Sequence, residues 1–174
     1  MIYLKRQPSN IESEVIMMMG VADAGKSTAI QQIMKTSNKE YIVICPDEYR
    51  KKIAGDYLQT HDKEVFAQVR LDLEEAIRKG KNVIYDATNI SNKKRKAMFG
   101  EFKRFNKGAT IRLVYVKKTL DTILKQNAQR EGLKVVPTHR VIQMFGYMCE
   151  PTYAEGCDII QIYHEDGSVE TLSK

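Results

Sequence analysis

The sequence has little cysteine, and what it has is not arranged for chemistry. Cys45, Cys149 and Cys157 are odd in number and scattered, with no C-x-x-C pair. That pattern excludes a disulfide framework and a thiolate zinc site, and it fits reduced thiols in a cytoplasmic compartment. No apolar run approaches the roughly 18 residues of a membrane span. The basic start, residues 1–6, leads into no apolar segment, which predicts no signal peptide and no membrane partner. Tryptophan is absent, prolines number only four, and there is no repeat, low-complexity tract or Pro/Gly-rich linker. One domain is therefore expected over residues 1–174, with 1–13 as an N-terminal extension. His61, His139 and His164 lack ligand spacing and partner carboxylates, so no metal or catalytic role is assigned to them. What is present is enough apolar content for a core, 43%, and a net charge of +6. The first excludes intrinsic disorder. The second fits a polyanionic partner such as a nucleotide or nucleic acid.

Apolar runs of strand length alternate with segments of helical spacing. Strands are predicted at Glu14–Met19, Tyr41–Cys45, Val83–Asp86, Ile111–Val116 and Ile159–Tyr163. Met17, Met18 and Met19 read as core filling. Helices are predicted over 26–37, from Pro46-Asp47, over Asp62–Lys79 (Val65, Val69, Leu73, Ala76 and Ile77 on one face), from a Ser91 cap to about Asn106, and over 119–130. A last helix starts from a Thr138 cap, with Val141, Ile142, Phe145 and Met148 on one face. Asp166-Gly167 signals a hairpin turn, with Val169–Leu172 returning. Such alternation predicts an α/β fold, a mostly parallel sheet with helices on both faces. Ligands then bind at the carboxyl ends of the strands, just after residues 19, 45, 86 and 116.

The first of those places carries Gly20-Val-Ala-Asp-Ala-Gly-Lys-Ser-Thr28, a full G-x-x-x-x-G-K-[ST] between strand and helix. Its glycines let the backbone of Gly20, Ala22, Asp23, Ala24, Gly25, Lys26, Ser27 and Thr28 wrap a phosphate chain, with the helix N-terminus adding its field. Lys26 would hold the transferring phosphoryl charge and Ser27 would ligate Mg²⁺. A nucleoside triphosphate, ATP or another, is the expected cofactor. A GTPase is disfavoured, because Asp-x-x-Gly and Asn-Lys-x-Asp are both missing.

Phosphoryl transfer also needs a group to take the acceptor's proton and cations around the γ-phosphate. Asp47, just past the second strand, can be that base or a helix N-cap. Arg50, one turn on, can pair with Asp47 or clamp a substrate phosphate. Asp86 can hold Mg²⁺ through water. Thr88 and Asn89 can meet the acceptor or simply form a turn. Arg130, before Glu131-Gly132, can close over the nucleotide or be a solvated helix-end charge. The stretch with Lys93, Lys94, Arg95, Lys96, Lys103, Arg104 and Lys107 is either a nucleic-acid contact or a solvated face. Phe99, Phe102 and Phe105, interleaved with it, have the spacing of a core stripe.

Together these segments resemble the kinase domain of bacteriophage-type 5′-polynucleotide kinases, within the P-loop kinases. The resemblance runs from about Glu14 to Tyr163. It rests on the phosphate loop, Pro46-Asp-Glu-Tyr-Arg50, Asp86-Ala-Thr-Asn89, and Lys125-Gln-Asn-Ala-Gln-Arg130 leading into Val135-Val-Pro137. It implies a three-layer sandwich on a five-stranded sheet with a helical lid at about 119–137 and a C-terminal strand or hairpin at 158–174. It implies ATP and Mg²⁺, acceptors that are 5′-hydroxyl ends of DNA or RNA, and the host cytoplasm if the chain is phage-encoded. Lys26 and Ser27 match the loop pair, Asp47 the base, Arg50 the grip on the acceptor's 3′-phosphate, Thr88 a further acceptor contact and Arg130 the lid arginine. The chain departs from the family at two places. Gln126 stands where the phage-type lid carries a second arginine. Asp86 lies three residues before Asn89 rather than two, which leaves it between metal organiser and acceptor contact. No Asp-x-Asp occurs, so no 3′-phosphatase activity is expected. A small-molecule kinase acting on a nucleoside or sugar, or a non-catalytic ATP-binding module, are the alternative expectations.

Overall fold

The structure, a computed structural model, describes residues 7–55, 61–132 and 135–174. Residues 1–6 of the extension and 133–134 of the lid lie outside the described residues. Strand β1 (Ser13–Met19) is buried at every position. Successive side chains of a strand leave on opposite faces. Val15, Met17 and Met19 therefore enter one core, and Ile16 and Met18 enter another. Helices α3 (Asp62–Arg78) and α4 (Asn92–Phe105) cover the first core, and α1 (Lys26–Thr36) covers the second. This is the predicted three-layer α/β arrangement.

With β2 (Tyr41–Ile44), β3 (Asn82–Tyr85), β4 (Ala109–Val116), β5 (Ile159–Tyr163) and β6 (Val169–Thr171), the sheet order is β2-β3-β1-β4-β5-β6. Every pairing is parallel except β5 with β6. The sheet therefore has six strands rather than five, because the turn at Asp166-Gly167 folds β6 back onto β5. The in-register parallel strands bring four carboxyl ends to one edge. The Gly20 N–H donates to the Thr88 carbonyl at 3.0 Å, and the Asp86 N–H donates to the Ile44 carbonyl at 2.9 Å. At the opposite end, residues 7–12 are held rather than loose. The buried Asn106 amide accepts from the Ile11 N–H at 3.0 Å and donates to its carbonyl at 2.7 Å.

The helices follow the predicted faces, with three differences. Helix α2 (Pro46–Ala54) starts from Cys45 in the cap position, so Asp47 lies inside the first turn and is not the cap. Helix α5 (Leu120–Ala128) is capped by the Thr119 hydroxyl and ends before Arg130. Helix α6 (Thr138–Gly146) has Pro137, not Thr138, in the cap position, since Thr138 already belongs to the helix. Its Val141 is buried, but Ile142 is 48% exposed. One residue is a 100° step around a helix, at about 3.6 residues per turn, and this short helix packs on one side only.

On α4 the lysines at 93, 94 and 96 are exposed, and Phe99, Phe102 and Phe105 are buried, as their spacing predicts. Arg95 departs from the basic face. Its side chain is 1% exposed and bidentate to Glu155, with both N–O distances at 2.7 Å. It also donates to the carbonyls of Asn89 and Cys149, at 2.9 and 3.0 Å. Breaking a buried pair leaves one charge uncompensated. Glu155→Ala is thus expected to cost about 3–5 kcal/mol in urea unfolding. The double change Arg95→Met/Glu155→Leu should cost much less. Equal losses would show that packing, not the stranded charge, sets the penalty.

Candidate active site

The loop after β1 turns through Asp23 (φ 68°) and Gly25 (φ 94°) before α1 begins at Lys26. The Lys26 ammonium donates to the carbonyls of Gly20 and Val21, at 3.0 and 3.1 Å. Burial pulls its pKa below the ordinary lysine range, while Asp86, Asp23 and Asp47 pull it back up. These carboxylates come from just beyond β3, β1 and β2 respectively. Ser27 and Thr28 are exposed where the helix opens, and the first N–H groups of a helix have no partner within it. The edge thus sets Lys26 and the first N–H donors of α1 among acids from separate strands, a site built to receive a polyanion.

On the β2 side, the Arg50 guanidinium is held by two carboxylates. It is paired with Asp47, and its Nε lies 2.7 Å from Asp62 Oδ1 in the first turn of α3. Its side chain is only 10% exposed and stacks 5.6 Å from the Phe66 ring centroid, whereas the Asp47 side chain is 64% exposed. Tyr49 braces α2 on α3 through a 2.5 Å bond from its hydroxyl to Asp72. Asp47 therefore stands open at the edge with a fixed cation behind it.

Beyond β3, burial pushes the Asp86 carboxyl above the usual carboxylate range. Lys26 opposes that rise and Asp47 adds to it. Burial and Asp86 push the neighbouring Cys45 thiol up to about 11, so it is an inert proton donor and no nucleophile. Asn89 adopts a left-handed φ of 47° and donates from Nδ2 to the Met18 carbonyl at 2.6 Å. That bond ties the β3 loop to the end of β1, next to the Gly20–Thr88 bond. Asn89 is thus engaged in shaping the edge, and Thr88 lies beside it, half-buried.

Helix α5 and the segment after it border the other side. Leu120, Ile123 and Leu124 of α5 and Val136 pack on Val21 of the phosphate loop. Asn127 is buried and holds the returning segment with two bonds, Nδ2 to the Val136 carbonyl at 2.7 Å and Oδ1 from its N–H at 3.0 Å. Arg130 then pairs with Asp23 in the loop itself. Burial raises the Asp23 pKa against the pull of Arg130 and Lys26. Its second oxygen, Oδ2, has no hydrogen-bond partner among the described residues. As for a metal, the Ser27 hydroxyl and Asp86 carboxylate are hard oxygen donors, the kind Mg²⁺ takes. Among the described residues no group of three His, Cys, Asp or Glu side chains could hold a metal by itself. That sparse donor set fits an ion that arrives on phosphates and keeps most of its waters.

A family model described as an AAA domain matches residues 15–151, from β1 to beyond the lid. The chain belongs to this family. No curated protein matches this AAA-domain chain. Solved structures do. A chain of the Pnkp1/Rnl/Hen1 RNA repair complex superposes with a TM-score of 0.69 at 18% identity, covering 80% of this chain and 45% of that one. Kti12 from Chaetomium thermophilum, solved with ADP-AlF3, gives a TM-score of 0.62 at 14% identity, covering 87% and 89%. A gluconokinase from Sinorhizobium meliloti 1021 gives 0.53 at 16%, covering 90% and 83%. At these identities the likeness is one of fold. The AAA-domain chain has the architecture of P-loop kinases and their relatives, and it spans less than half the length of the repair-complex chain. No helix among its described residues is long and apolar enough to cross a membrane.

The edge brings together Lys26, Asp47, Arg50, Asp86 and, through Asp23, Arg130. Sequence reasoning missed four residues that shape this edge: Asp62, Arg95, Asn127 and Lys118, whose ammonium lies near Gly25. Arg95 falls four residues before Phe99, on the face of the aromatic stripe, and that spacing was its signal. Lys118 follows β4, a position the sheet rule points to. Nothing local marks the pairing of Asp62 with Arg50.

Proposed function

We propose that this chain is an ATP-dependent polynucleotide 5′-hydroxyl kinase. It would transfer the γ-phosphoryl group of ATP to the 5′-hydroxyl of DNA or RNA without a 3′-phosphatase activity. The observation that carries the reading is the Asp47–Arg50 pair at the sheet edge, an open carboxylate backed by a buried guanidinium. Asp47 accepts the proton of the acceptor hydroxyl. The freed oxygen attacks the γ-phosphorus, and the bond to the β-phosphate oxygen breaks, releasing ADP. Lys26 and Arg130 neutralise charge on the transferring group, and Mg²⁺, held through Ser27 and Asp86, supplies further neutralisation when bound. Arg50 meets a phosphate on the acceptor, with Thr88 and Asn89 forming the wall of that pocket. Arg50 would exchange one of its two carboxylates for that phosphate, and Asp62 keeps it aimed in the meantime.

A second reading has its own support. The likeness to the gluconokinase covers most of both chains, and a sugar kinase needs a base and a phosphate loop but no acceptor-phosphate cation. The test is transfer of labelled γ-phosphate from ATP, with Lys26→Ala as control. The acceptors are a 5′-hydroxyl oligonucleotide, a plain nucleoside and a panel of sugars. Label on the oligonucleotide supports the proposal. Label confined to a sugar or the nucleoside moves the protein to the small-molecule kinases.

A further inference from the structure

The Lys118 ammonium lies over the phosphate loop. A Cβ built on Gly25 would sit 3.2 Å from Lys118 Nζ and 3.6 Å from its Cε. Gly25 occupies the cap position of α1 with a φ of 94°, a conformation that favours glycine. Lys118 is half-buried, and among the described residues it makes no ion pair within salt-bridge distance. The nearby Glu165 carboxylate is already engaged, accepting from the Thr122 hydroxyl and the Thr119 N–H, the bonds that hold its pKa down. A neutral group positions the ammonium instead. In the orientation that satisfies both its neighbours, the Gln126 amide accepts from Lys118 Nζ at 2.9 Å and donates to the Asp23 carbonyl at 2.5 Å. A lysine fixed by an amide and aimed at a loop of backbone donors is a preformed cation for an anion resting on that loop.

Resting on the reading of the loop as a nucleotide site, we propose that Lys118 binds the phosphate chain of the donor nucleotide on the opposite side from Lys26. In such loops the backbone N–H groups cradle the α- and β-phosphates and the loop lysine reaches the β- and γ-phosphates. Lys26 has that second place, and Lys118, lying over Gly25, takes the first. The contact is with phosphates that both ATP and ADP carry, so it contributes to holding the nucleotide rather than to transfer.

The test is isothermal titration calorimetry of Mg·ATP and Mg·ADP on the full chain. Lys118→Met is expected to weaken both nucleotides equally, by about 10- to 100-fold, the range of a charge-assisted hydrogen bond. Lys118→Arg should restore most of the affinity. So should Lys118→Met/Gln126→Arg, which returns a positive charge from the neighbouring lid position, and thermal melts on all variants separate binding from folding. Affinities within about twofold of wild type in Lys118→Met, a loss that spares ADP, or a loss that neither charge-restoring variant repairs would overturn the proposal. A wild-type chain that binds neither nucleotide would overturn the reading of the loop itself, and the Lys118 contact with it.

Discussion

Replacing Arg130 with alanine is expected to lower the rate of phosphoryl transfer by about 10³-fold or more, the effect typical of an arginine that stabilises the transferring phosphoryl group. Oligonucleotide affinity should change little. The expectation follows from where the lid puts the residue. Helix α5 is seated on Val21 through Ile123, and Asn127 fixes the return of the chain. Arg130 is thereby delivered to the phosphate loop, where Asp23 holds it. A nucleotide placed on that loop would compete with Asp23 for the guanidinium. Removing Arg130 also leaves the buried Asp23 carboxylate less compensated, so part of the loss would be structural. Arg130→Lys distinguishes the two, because it retains a charge for Asp23 but not the planar fork that grips phosphate oxygens. Single-turnover rates with thermal melts decide the matter. Equal losses in turnover and in oligonucleotide binding would count against the lid role.

Asp47→Asn is expected to reduce transfer by about 10²–10⁴-fold, the usual contribution of a positioned base, while ATP binding stays within a few-fold of wild type. The substitution is a mild one structurally. Asp47 is 64% exposed, and it is not the cap of α2, so asparagine replaces it without cavity or lost cap. Arg50 keeps Asp62 as its partner. Transfer assays paired with nucleotide titration check this. Unchanged transfer would remove Asp47 from the chemistry. The absence of transfer in wild type and variant alike, with ATP bound equally by both, would favour a nucleotide-binding module.

Much of this edge was legible before any coordinates. The phosphate loop is a local signal, in which glycines at fixed offsets, a lysine and a hydroxyl stand between an apolar strand and a helix. The faces of α3 and α4 follow from 3.6-residue spacing, and β1 from an unbroken apolar run, since a strand covered on both sides has no reason to alternate. What escaped was long-range and polar. Arg95 looked like one more member of a solvated basic face, and only Glu155, 60 positions away, makes its burial tolerable. Arg50 of α2 meets Asp62 of α3, a contact between two helices that no local pattern marks. Asn89 reads in sequence as an acceptor contact or a turn residue, and its bond to the Met18 carbonyl across the edge is not legible there. The residues mark Val169–Leu172 as a return strand, and its three-residue pairing with β5 makes it the sixth strand of the sheet. The lid cation Lys118 has no motif at all.

The claim that distinguishes a polynucleotide kinase from its small-molecule relatives is that Arg50 meets a phosphate on the acceptor. The most direct measurement is the ratio of kcat/KM for a nucleoside 3′-monophosphate to that for the plain nucleoside, in wild type and in Arg50→Ala. The predicted result is a wild-type preference of about 10²–10⁴-fold, two charge-assisted hydrogen bonds' worth, that collapses towards unity in the variant. A wild-type ratio near one, or a preference that survives the loss of Arg50, would contradict it.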